Sequence, residues 1–126
     1  MSVINLTSAM GILAMLNEPQ PILKNHALWN LNNLVDRFWP EISTRLPIIE
    51  SLYEDETFEH RQLAALLVSK VLYYLGELKE SLSYALKAGN LFDVSEESDY
   101  VHTLLGKNKA VDGYFLRIVP FDQFKS

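Results

Sequence analysis

The sequence predicts an all-α protein, a single domain of antiparallel helical hairpins stacked as an α-solenoid of armadillo or tetratricopeptide type. Apolar side chains recur at the i, i+3, i+4, i+7 spacing of a helix face along most of the chain. Glycines fall where one stripe stops and the next begins, at Gly76 and Gly89. Upstream of residue 106 no segment reads as a strand.

The first helix starts at Thr7 or Ser8, either of which can cap it, and ends by Asn17 and the Pro19/Pro21 pair. The next spans residues 21–38, with Pro21 in its first turn. Its stripe is Leu23, Ala27, Leu28, Leu31, Leu34, Val35 and Phe38, and Lys24, Asn25, Asn32, Asn33 and Asp36 are assigned to the solvated face. Pro40 suits the first turn of a following helix carrying Ile42, Leu46, Ile49, Leu52 and Tyr53. Pro47 removes a hydrogen bond and crowds the preceding turn, so a kink or a break into two pieces is expected there.

Residues 61–105 read as two antiparallel helices, a loop and a third helix. Leu63, Ala64, Leu67, Val68, Val71, Leu72 and Leu75 form one stripe, and Leu78, Leu82, Ala85 and Leu86 form the next. Gly76 between them supplies the left-handed conformation that closes a helix, and so short a link forces an antiparallel pair. Gly89 and Asn90 end the second helix. Asp93 or Ser95 is expected to cap the third, whose buried side is Tyr100, Val101, Leu104 and Leu105.

Composition narrows the function. A chain of 126 residues, 48% hydrophobic and 21% charged, is one domain burying roughly two thirds of its unfolded surface. The absence of cysteine removes disulfides and thiolate metal sites and fits a reducing compartment. The opening MSVINLTSAMGILAML lacks a basic n-region and is too short an apolar run to span a bilayer, so the expected location is cytoplasmic and nuclear, with no membrane partner. A net charge of −5 without a cluster of lysines or arginines disfavours nucleic acid.

The search for chemistry yields no catalytic, cofactor-binding or metal residues. His26, His60 and His102 are dispersed and lie in no HExxH arrangement. Glu54, Asp55 and Glu56 precede a helix, where acidic residues favour its dipole, so a capping role is expected. Trp29, Trp39, Tyr73, Tyr74 and Tyr84 are assigned to helix packing, and any of them left exposed would mark a partner surface.

Three phrases carry a family resemblance: YEDETF at residues 53–58, AALLVSKVLYYLGELKESLSYAL at 64–86 and AGNLFDVSEESDYVHTLL at 88–105. Together with the collinear TSAMGILAML and ALWNLNNLVDRFWPEIS upstream, they resemble the N-terminal region of the largest non-ATPase subunit family of the 26S proteasome regulatory particle. The resemblance implies a rod of paired helices that, in the family, precedes a toroid of proteasome/cyclosome repeats and serves as a non-catalytic scaffold joining base and lid. It further implies base ATPases and lid subunits as partners and a part in ubiquitin-dependent degradation. Functions that depend on the toroid, receptor docking among them, do not transfer to these residues.

Two other readings remain beside it. YYLGELKESLSYALKA also resembles one tetratricopeptide motif, which would suit a free-standing adaptor holding a partner's peptide or helix, although no ~34-residue recurrence is evident. An enzyme or small-molecule binder is the least favoured. The organisation expected is a hairpin domain over residues 1–105 and a divergent tail over 106–126. The tail's Tyr114, Phe115, Leu116, Ile118, Val119, Phe121 and Phe124, read as partly extended, make it an expected self-association surface.

Overall fold

The computed structural model describes residues 6–107, and the run expected to be extended at residues 114–119 lies outside them. The described chain is helical throughout: α1 (Met10–Ala14), a 3₁₀ turn (Met15–Asn17), α2 (Pro21–Ser43), α3 (Leu46–Glu54), α4 (Arg61–Tyr74), α5 (Leu78–Lys87), a 3₁₀ turn (Gly89–Leu91), α6 (Asp99–His102) and a π-type turn (Thr103–Lys107). This is the all-helical hairpin stack expected, an architecture consistent with an α-solenoid.

Each boundary has a local cause. Pro21 occupies the first turn of α2, where its missing N–H costs nothing. Pro40 bends the same helix, and Phe38 drops out of helical geometry at φ −116°, ψ 18°, where residues 21–38 were expected to end. The break expected at Pro47 falls just before it, at Arg45 (φ −114°, ψ 14°), so Pro47 sits harmlessly in the first turn of α3. Gly76 takes φ +83°. The Gly76 N–H donates to Tyr73 O at 3.0 Å and the Glu77 N–H to Leu72 O at 2.9 Å, the two reverse bonds of a Schellman closure that satisfy otherwise orphaned carbonyls.

Helix α4 is the axis of the domain and packs against α2, α3 and α5. Its Leu63, Ala64, Leu67, Val68, Val71 and Leu72 join Leu13, Leu28, Leu31, Ile42 and Ile49 in a larger core, while its Ala65 faces a smaller one built from Leu82, Ala85, Phe92, Tyr100, Val101 and Leu104. Two-sided burial leaves eight of the fourteen residues of α4 buried.

Several assignments shift. Leu75 is 44% exposed, because the Schellman turn has already swung the chain away from the core. Asn32 is buried at 6% exposure rather than solvated; its Nδ2 donates to Leu28 O (2.9 Å) and to Leu63 O (3.4 Å) and so ties α2 to α4. Neither Asp93 nor Ser95 caps α6. That role falls to Ser98, whose Oγ accepts the Val101 N–H at 3.2 Å, while Asp93 Oδ1 closes a local turn on the Ser95 N–H and hydroxyl. The acidic run does not cap α4 either: Asp55 ends α3 and accepts from the Thr57 N–H and hydroxyl, which hold its carboxyl below the usual range.

Candidate interaction surface

The rigid part of the molecule is fastened by polar contacts within its apolar layers. Ser69 Oγ donates to Ser81 O at 2.6 Å and Ser81 Oγ donates back to Ser69 O at 2.7 Å, so two small side chains let α4 and α5 approach closely. Tyr100 OH lies 2.6 Å from Ser69 Oγ and brings α6 into the same node. Ser69 and Ser81 are fully buried. At the other end, Glu41 Oε1 accepts the Ala9 N–H at 2.9 Å and the Ser8 hydroxyl at 2.8 Å, while Ser8 Oγ accepts the Met10 N–H. The N-cap of α1 is Ala9 rather than Thr7 or Ser8; Ser8 supports the start of the helix from one residue outside it, with help from a carboxylate more than thirty residues away.

Aromatic residues knit the hairpins. Trp39 stacks on Tyr74 with centroids 5.8 Å apart and planes 5° from parallel, joining α2 to α4. Tyr53 meets Tyr84 edge-on, Arg61 lies over Tyr53 at 4.4 Å and Lys87 over Tyr84 at 4.2 Å. Tyr84 also donates to Glu50 Oε2 at 3.1 Å, and burial together with that bond pushes its pKa up to about 12. Tyr73 meets Tyr74 and Tyr100 edge-on, so four of the five aromatics assigned to packing pack.

Trp29 does not. It is 53% exposed, and Ile22, 74% exposed, lies seven residues earlier on the same face of α2, with the exposed His26 between them. Aromatic and aliphatic area left in water on a rigid helix is the mark of a contact surface.

The histidines stay apart. His26 Nε2 faces Asn30 Nδ2 at 3.2 Å, His60 meets Phe58 edge-on, and His102 pairs with Glu97 at 3.3 Å. Among the described residues no group of three or more His, Asp or Glu could hold a metal ion, and no helix is long and apolar enough to cross a membrane.

Comparison with known proteins decides the family. Residues 7–118 match the family described as 26S proteasome subunit RPN2, N-terminal domain. The chain belongs to this family. It is 76% identical over 110 residues to the 26S proteasome non-ATPase regulatory subunit 1 homolog A of Arabidopsis thaliana, an alignment covering 86% of this chain and 11% of that protein. The corresponding figures are 47% over 117 residues for 26S proteasome non-ATPase regulatory subunit 1 of Drosophila melanogaster, covering 93% and 11%. The 26S proteasome regulatory subunit RPN2 of Saccharomyces cerevisiae is 48% identical over 104 residues, covering 82% and 11%. The chain thus spans about a ninth of the length of these relatives. The family match runs past residue 105 into the segment read from sequence as a divergent tail.

Proposed function

We propose that this chain is a non-catalytic scaffold segment of the base of the 26S proteasome regulatory particle, supporting assembly and ubiquitin-dependent degradation in the cytoplasm and nucleus. Membership of the RPN2 N-terminal family carries the reading. The physical arrangement suits it. A scaffold needs a stiff body, which the double-cored α4 supplies, and a fixed contact face, for which Ile22 and Trp29 on α2 are the best-placed residues. Base ATPases and lid subunits are the proposed partners.

Affinity purification of the tagged 126-residue chain from eukaryotic cells, read by mass spectrometry, tests the reading. Regulatory-particle subunits are expected to co-purify and to be lost with Ile22→Ser/Trp29→Ala. Recovery of the same regulatory-particle subunits with both proteins contradicts the contact face, and their absence from both contradicts the scaffold.

Self-association through residues 106–126 is a second proposal, resting on their dense apolar content alone.

A further inference from the structure

A cleft of about 340 Å³ opens where α2, α4 and the segment leading into α6 meet. Asn33 and Asp36 reach it from α2, Lys70 and Tyr74 from α4, and Glu96 and Ser98 from the loop before α6. Two helices and the loop before α6 thus bring polar side chains to one cleft.

Lys70 is the unusual member. Its stem is packed away and burial pushes its pKa down, a shift that Glu96 and Asp36 only partly offset. Yet among the described residues its ammonium has no hydrogen-bond partner, and no carboxylate comes within the ion-pair distance seen for His102 and Glu97. The ammonium itself reaches the open cleft, where its N–H groups are available to a ligand acceptor. Asn32 Oδ1, behind the same wall, is buried without a donor. Asp36 and Glu96, both exposed, flank the opening and leave it net negative in spite of Lys70.

An acidic ligand would meet those two carboxylates, and a purely apolar one would strand the Lys70 donors. A peptide main chain satisfies both conditions when it brings a basic side chain with it. We propose that this cleft binds an extended polypeptide segment carrying a lysine or arginine, whose main-chain carbonyl accepts from Lys70 Nζ and whose cationic side chain lies between Asp36 and Glu96. The volume, at the small end of the roughly 300–1,000 Å³ typical of ligand clefts, suits one side chain and its flanking backbone. The inference goes beyond the scaffold reading and does not depend on it, because every residue it is argued from lies among the described residues of this chain.

The test is a nuclear magnetic resonance titration of the full ¹⁵N-labelled chain with the blocked peptide acetyl-Gly-Ser-Arg-Ser-Gly-amide. Saturable shifts confined to Asn33, Asp36, Lys70, Tyr74 and Ser98 are expected, and the same peptide with glutamate in place of arginine should leave them unmoved. Asp36→Asn/Glu96→Gln should weaken binding by about tenfold, and Asp36→Asn alone, which leaves the Glu96 bond to the Ser98 hydroxyl intact, should weaken it less, with the dispersed spectrum of the folded chain retained in both. Shifts that do not saturate, that scatter over the acidic surface, or that persist equally with the glutamate peptide or the double variant overturn the proposal. Co-purification with regulatory-particle subunits is read separately, so either result can fail alone.

Discussion

Tyr100 OH and Ser69 Oγ lie 2.6 Å apart inside the smaller core, and because Ser69 Oγ spends its own proton on Ser81 O, the tyrosine is the donor. One hydroxyl therefore links three helices. Burial drives the Tyr100 pKa upward, so the phenol stays protonated and the bond intact at any physiological pH.

Tyr100→Phe should cost about 1 kcal/mol, the net worth of one neutral hydrogen bond, whereas Ser69→Ala should cost about 1–3 kcal/mol because it strands the buried phenol. The double variant should fall short of the sum of the two. Chemical denaturation of all four proteins checks this, and strict additivity would dissolve the node.

Leu67 is fully buried in the larger core while Leu75, on the same sequence stripe, is 44% exposed. Leu67→Ala is expected to lose about 2–5 kcal/mol. Leu75→Ala should stay within about 0.5 kcal/mol of the parent. Thermal unfolding of the pair reads out where the stripe ends.

Gly76 at φ +83° has open space around its Cα, so alanine there should cost only backbone strain, about 1–2 kcal/mol. At Gly89 (φ +60°) a new Cβ would lie 3.0 Å from Gln62 Nε2, but Gln62 is an exposed, flexible side chain free to swing away. The two variants should therefore lose similar stability. A much larger loss for Gly89→Ala, relieved by Gln62→Ala, would show that the glutamine is held.

Alkaline stability should be set by opposing groups. Tyr84 keeps its proton in the folded state up to about 12, against an ordinary value of 10.0, so its contribution is complete below pH 10.0 and is lost as pH climbs towards 12. Lys70 acts the other way: its folded pKa is lowered, so it opposes folding at neutral pH and that penalty fades as pH rises to 10.5. Tyr84→Phe should shallow the loss of stability above pH 10, followed by denaturation at stepped pH, and should remove one late-titrating tyrosine from the tyrosinate absorbance curve. An unchanged absorbance curve would place the late titration elsewhere.

Glu41→Ala should loosen the start of α1, because the Ala9 N–H and the Ser8 hydroxyl lose their shared acceptor. A loss of about 1 kcal/mol is expected, typical of a removed cap. Hydrogen exchange of residues 9–16 should speed up while α4 stays protected.

The sequence by itself determined the helices, their order and most of their breaks, although α2 runs through the bend at Pro40 to Ser43 where a new helix was expected. These follow from local rules: proline cannot donate its N–H, glycine alone takes a positive φ cheaply, and apolar periodicity fixes which face turns inward. It also carried the family, since the phrases at residues 53–58, 64–86 and 88–105 resemble that family's N-terminal region. What it left undecided depends on neighbours distant in the chain. Asn32 reads as a surface residue until α4 brings Leu63 O to its amide, and Ser69 and Ser81 read as incidental until two helices meet over them. Trp29 reads as core, yet no described element covers that side of α2. Lys70 looks like any solvated lysine until three elements close around it, for burial is a property of the assembled stack and is absent from any single helical stripe.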